Sequence, residues 1–166
     1  MADKQKQSNF TIAKATEKDI PGIFDCVKEL ALFEMAPEAV ITNPVVYLED
    51  WLKGWFEVLV AKSDDRIVGI ALYHPAYSSW KGRMMYLDDL IVTESYRGLG
   101  IGKALLDAFI TEAKKSNAVI CKWQVLDWNK EAVVFYEKIG AELDKGWWNV
   151  KLMTLSYSLW QSDIAV

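Results

Sequence analysis

The sequence is short of the residues that most metal and nucleophilic chemistry needs. It has one histidine, His74, and two cysteines, Cys26 and Cys121, in 166 residues. A single histidine is a poor start for a histidine-based zinc centre or a Ser-His-Asp triad, so no metal is expected. Two cysteines far apart make no disulfide framework, and a reducing, cytoplasmic compartment is expected. No eighteen apolar residues run together, so no membrane span is expected. Residues 1–10 have no apolar run behind their charges, so no secretory leader is expected either. Positive charge is also scarce: 19 basic residues stand against 23 acidic ones, a net charge of −4. Binding nucleic acid through its phosphates needs a basic face, so nucleic acid is not an expected partner, whereas a cationic substrate would not be repelled.

What the chain does have is ordinary for a packed protein. Hydrophobic residues make up 52% and charged residues 25%, which excludes disorder and collagen-like repeats. The length fits one domain over 1–166, with 1–9 and 161–166 as tails. Eight tryptophans predict flat aromatic surface, some of it outside the core.

Periodicity then gives the elements. Phe10–Ala15 alternates as a short strand. Thr16 with Asp19 reads as a capping box before Pro21, and Ile20, Ile23, Phe24, Val27, Leu30 and Ala31 follow at helical spacing, which predicts a helix over 19–35. Asn43-Pro44 opens a second helix, to about Trp51–Gly54. Phe56–Ala61 and Ile67–His74 are strands around the turn Ser63–Arg66. Pro75–Gly82 reads as a loop, Met84–Val92 as a long strand, Glu94–Gly102 as a turn, and Lys103–Ser116 as a helix. Val119–Leu126 reads as a strand, Lys130–Ile139 as a helix, and 142–160 as one or two further strands. The order predicts an α+β domain with α/β character, a mixed sheet with helices on its faces.

The densest signal is Arg97-Gly98-Leu99-Gly100-Ile101-Gly102-Lys103, between a strand and a helix. Three glycines in five positions allow a sharp turn and close approach to a ligand. The free N–H groups and dipole of the helix start favour phosphate or pyrophosphate, with Arg97 and Lys103 adding charge. A Walker A register would need glycine at Arg97 and a hydroxyl residue at Ala104. A Rossmann register would need glycine at Lys103 or Leu105. Neither fits.

This run resembles the R/Q-x-x-G-x-G/A pyrophosphate loop of the GNAT N-acetyltransferases, and the element order resembles that fold over about 10–153. Five blocks are similar to one branch, the diamine acetyltransferases that include the spermidine/spermine and thialysine enzymes: Lys28–Glu34, Tyr77–Gly82, Tyr86–Leu90, Tyr96–Gly98 and Val125–Asn129. The resemblance implies a central sheet of about six or seven strands, about four helices, acetyl-CoA as cosubstrate, a small-molecule amine as acceptor, and a homodimer, with the apolar Leu155–Trp160 as a possible contact.

By the same resemblance, backbone groups of Leu90, Ile91 and Val92 would pair with the pantetheine arm like an added strand. Arg97, Gly98, Leu99, Gly100, Ile101, Gly102 and Lys103 would cradle the pyrophosphate. Asn129 matches a cofactor-touching position and is also a good helix cap. Tyr136, in Phe135–Ala141, matches the tyrosine proposed as general acid for the departing thiolate. Asp88 matches the acidic residue proposed as base, and its shorter side chain, where relatives carry glutamate, favours a water relay. Strand alternation predicts Asp88 and Asp89 on opposite faces, with Asp89 buried or on the substrate wall.

Glu34, Tyr77, Trp80, Asp88, Asp89 and Trp147 are candidates for holding an alkylammonium, by charge and by ring faces. Two departures from the branch matter: Ser78-Ser79 stands before Trp80 where relatives carry Asp-Pro, and Lys145 stands before Gly146-Trp147 where polyamine-binding relatives carry an acid. They predict a shorter or less cationic amine than spermine, such as thialysine. Two rivals keep the fold: a protein lysine or N-terminal acetyltransferase, and a silent acetyl-CoA-binding domain.

Overall fold

Local signals set most of the element boundaries. The computed structural model describes residues 9–153. The Thr16 N–H and hydroxyl both donate to Asp19 Oδ2, at 2.8 and 2.9 Å, closing the capping box at a single 3-10 turn. Helix α1 follows over Ile20–Phe33 with Pro21 in its first turn. Asn43 Oδ1 accepts from the N–H groups of Val45 and Val46, at 3.0 and 3.2 Å, and starts α2, Pro44–Leu52. The strands are β1 Thr11–Lys14, β2 Glu57–Ser63, β3 Arg66–Ser78, β4 Gly82–Val92 and β5 Ile120–Lys122, and the remaining helices are α3 Ile101–Lys115 and α4 Lys130–Lys138. Asp64 and Asp65 both take positive φ, 49° and 59°, which gives β2 and β3 the tight turn that the twist of a two-stranded ribbon favours.

The sheet is mixed, in the order β1-β2-β3-β4-β5, with only the β4–β5 pair parallel. One face packs on α1: Ile20, Ile23, Cys26 and Val27 form a cluster with Val58, Val60, Ile70, Leu72 and Ile91. The other face takes α3, where Leu105, Leu106 and Phe109 are fully buried and Phe109 meets Tyr73 edge-on at 5.5 Å. Each such side chain contributes about 1.5–3 kcal/mol by leaving water.

The chain forms two compact units, residues 1–124 and 125–166. The first holds the whole sheet with α1, α2 and α3. The second, as far as Met153, holds α4.

Three expectations need correction. The predicted loop over Pro75–Gly82 is mostly strand: β3 runs on to Ser78 and β4 begins at Gly82. Proline is tolerated because β2 pairs only as far as Tyr73, so the missing Pro75 N–H lies on an edge. The predicted strand over Val119–Leu126 shrinks to Ile120–Lys122. Residues 142–153 form no strand; Trp147, Trp148 and Val150 are exposed there rather than paired. Five strands and four α-helices are therefore present among the described residues. The proposed contact segment Leu155–Trp160 and the two predicted tails, 161–166 and all but the last residue of 1–9, lie outside them.

Candidate functional site

Three features of the first unit converge on β4. The first is an open edge. β5 pairs with β4 only from Met84 to Tyr86, and among the described residues no strand covers that side from Leu87 to Val92. The Thr93 N–H donates to Val68 O of β3 at 3.0 Å, so alternation turns the backbone of Val92 and Leu90 toward the open side. Those residues and Ile91 are the ones expected to run beside a pantetheine arm.

The second is the glycine loop at the end of the same strand. Gly98 and Gly100 have φ of 75° and 82°, which a side chain resists, while a Cβ added at either would meet nothing within 4 Å. Their value is conformational rather than spatial. Gly100 caps α3 without any side-chain hydrogen bond. Among the described residues no protein acceptor takes the N–H groups of Ile101, Gly102 and Lys103, so this helix end offers donors and a positive dipole end to an anion. Arg97 donates from Nε to Val92 O at 3.0 Å. Lys103 is paired with Asp107 at 2.6 Å, one helical turn on, so its charge is partly compensated. Leu99 lies between the two left-handed glycines.

The third is a group of acidic and phenolic residues. Leu72 faces Asp89 but Tyr73 faces Leu87, which makes Asp88 the extra residue of a β-bulge. Asp89, opposite Leu72, shares the α1 face; Leu87, opposite Tyr73, shares the α3 face. The simple alternation that predicted opposite faces for Asp88 and Asp89 is thus broken at this point. Burial, then the charges of Asp88 and Glu34, push the Asp89 carboxyl up to about 7. Burial raises Glu34 at the end of α1 as well. Tyr47 of α2 is pushed up to about 12 by burial and by Asp89 and Asp88. The fold therefore brings both Glu34 and Asp88 within electrostatic reach of Asp89, and Tyr47 within reach of the two aspartates. Tyr47 carried no signal in the sequence beyond its place on a helix.

Other candidates are placed differently. Tyr77 and Trp80 stand on the β3–β4 hairpin arm, 75% and 85% exposed, so neither ring is held by packing in the first unit. Asn129, Tyr136 and Trp147 belong to the second unit. Asn129 Oδ1 accepts from the Ala132 N–H at 3.2 Å and so caps α4. Tyr136 is buried, and burial raises its phenol. Trp147 is exposed. His74 stacks on Tyr86 at 5.4 Å, with Nδ1 3.1 Å from Pro75 O. Among the described residues no three metal-binding side chains gather, and no helix is long and apolar enough to cross a membrane.

Comparison with known proteins gives this geometry its context. The chain is 33% identical over 141 residues to the thialysine N-epsilon-acetyltransferase of Bos taurus, covering 79% of this chain and 83% of that one. It is 31% identical over 150 residues to the human spermidine/spermine N(1)-acetyltransferase-like protein 1, covering 83% of this chain and 22% of that longer protein. Its fold matches the crystal structure of an aminoglycoside acetyltransferase from an uncultured soil metagenomic sample with a TM-score of 0.74, at 20% identity, over 87% of this chain and 97% of the other. Residues 27–141 match the profile of the Acetyltransferase (GNAT) family. An open β4 edge that runs into an uncapped, glycine-led helix end, in a chain so related, marks this protein as an acetyl-transferring enzyme of the GNAT family, on its diamine acetyltransferase branch.

Proposed function

We propose that the enzyme transfers the acetyl group of acetyl-CoA to the primary amine of a small molecule, by direct attack in a ternary complex. One observation carries the reading: the Leu87–Val92 edge, unpaired among the described residues, leads into the start of α3, which has no side-chain cap, with the Asp88 and Asp89 carboxyls on the same strand and Glu34 on the neighbouring helix end. In this reading the backbones of Leu90 and Val92, which face the open side, offer pairing to the pantetheine amides, Ile91 runs beside the arm with its own backbone turned to β3, and Gly98–Lys103 and Arg97 receive the pyrophosphate. Both offers fit an extended, doubly amidic, anionic cosubstrate.

The acceptor must arrive as an ammonium and react as a free amine. An ordinary alkylammonium titrates near 10.4, so roughly one molecule in a thousand is neutral at pH 7. The acidic group favours the arriving cation. Asp88, through a water, and Asp89, which can gain and lose a proton near neutrality, are the proton acceptors. The amine nitrogen then adds to the thioester carbonyl, the carbon–sulfur bond breaks, and the Tyr136 phenol hydrogen-bonds or protonates the departing thiolate. No covalent enzyme intermediate is needed.

The acceptor is a short amine of thialysine type. Ser78-Ser79 stands where relatives carry Asp-Pro and Lys145 where polyamine-binding relatives carry an acid, which removes negative charge, and the relatives this chain matches include thialysine enzymes. Initial rates of thiol release with thialysine, lysine, small diamines, spermine and a lysine-containing peptide test this. Thialysine or a short diamine should give the highest kcat/KM; a clear preference for spermine or the peptide overturns the acceptor class. Tyr136→Phe should lower kcat by about a hundredfold or more with KM for acetyl-CoA little changed.

A further inference from the structure

The segment that joins β4 to the glycine loop, Thr93–Arg97, is tied to α1 at both ends. At one end the Glu94 N–H donates to Glu29 Oε1 at 3.0 Å. At the other the Arg97 guanidinium lies over the Phe33 ring, 4.9 Å from its centroid. An open groove of about 330 Å³, lined by Glu29, Val68, Thr93 and Tyr96 among others, runs along this segment between the two contacts.

We infer that Phe33 is a positioning residue for the cosubstrate, acting through Arg97: the ring holds the guanidinium so that its terminal N–H groups are presented beside the glycine loop. The inference rests on the assignment of that loop to the pyrophosphate of acetyl-CoA. Arg97 Nε is already committed to Val92 O at 3.0 Å, which fixes the plane of the group from one side. Stacking on Phe33 uses the flat face of the guanidinium and leaves its edge donors free, which an ammonium in its place could not do. The four N–H bonds on the two terminal nitrogens have no protein acceptor among the described residues. Phe33 also ends α1 next to Glu34, so the element that contributes an acidic side chain to the acceptor group steadies the loop on the cosubstrate side as well.

Phe33 is 37% exposed, and replacing it with leucine keeps an apolar side chain, so the fold should tolerate the change. Exposed cation–π contacts correspond to a factor of about two to five in binding. Calorimetric titration of the full chain with coenzyme A should show Phe33→Leu weakening Kd by about that factor, with the KM for acetyl-CoA raised equally and kcat unchanged. Phe33→Tyr, which keeps the ring, should restore both. In an Arg97→Gln background Phe33→Leu should have no further effect. The inference is overturned if Phe33→Leu leaves Kd unchanged, if it weakens Arg97→Gln as much as the parent, or if Phe33→Tyr is as weak as Phe33→Leu. Parent protein that binds no coenzyme A overturns the loop assignment itself, a different result from parent protein that binds while Phe33→Leu binds equally well.

Discussion

Asp89 titrates near neutrality because it is largely withdrawn from water and meets two other carboxyl groups, Asp88 and Glu34. An ordinary aspartate ionises near 3.8, and the folded value is about 7. Between those values unfolding releases a proton, so the native state loses stability as pH rises through this window, at up to about 1.4 kcal/mol for each unit of difference. The loss is complete above 7 and absent below about 4. Asp89→Asn should therefore raise the melting temperature at pH 8 by a few degrees and leave it unchanged at pH 4, as thermal melts at the two pH values would show. If Asp89 also receives the amine's proton, kcat/KM should rise with pH through an inflection near 7 that Asp89→Asn removes. An inflection that survives Asp89→Asn and disappears in Asp88→Asn would move the role to Asp88. The sequence made this carboxylate pair visible but not its arrangement. A bulge is decided by which residues pair across two strands, and Tyr-Leu-Asp-Asp-Leu reads the same with or without one. Phe33 was hidden for a similar reason: its ring meets Arg97 across 64 residues of sequence, inside a block that otherwise reads as an apolar helix end.

At the scale of elements, boundaries written in short-range chemistry were legible. Thr16 with Asp19 and Asn43 before Pro44 each act within one turn, and each does in the structure what its spacing predicts. Boundaries that depend on a neighbour were not. Pro75 looks like a strand terminator until β2 is seen to stop at Tyr73's partner, Glu57, and β5 is short although Val119–Leu126 is rich in strand-forming residues. The glycine loop lies between these cases. Its glycines announce a special backbone, and two of them, Gly98 and Gly100, have it. Gly100→Ala puts a side chain at φ 82°, which costs about 1–2 kcal/mol without any steric clash beyond the backbone. Gly100→Asn, better suited to a left-handed position, should lose less. Denaturation midpoints and the KM for acetyl-CoA should both rank parent, Asn, Ala. A loop whose conformation does not matter for binding would leave KM the same in all three.

Over the whole molecule the charge is −4, and part of that excess is gathered where a cation would be needed. Clefts lined by one sign of charge attract the opposite sign over about a Debye length, roughly 10 Å at 0.1 M salt. Raising ionic strength from about 20 to 300 mM should therefore raise KM for a cationic acceptor several-fold with kcat little altered. The same change should affect a neutral amine such as hydroxylamine much less. Equal responses from the two acceptors would rule out steering by the acidic group. Net charge was available from composition alone, but its gathering around Asp89 required the fold, because residues 34 and 89 come within electrostatic reach only when α1 lies on the sheet.

The open side of β4 has another consequence. Among the described residues no strand neighbours the row of amide and carbonyl groups on this side from Leu87 to Val92, and such a row is also a template for any extended chain, including a second molecule of the same protein. Arg97 on the Val92 carbonyl and the bulge at Asp88, which bends the strand, both blunt that template, one at its end and one near its start. On the proposed reading the cosubstrate would then protect as well as react: the protein that holds its acyl donor has this edge covered, and the protein without it does not.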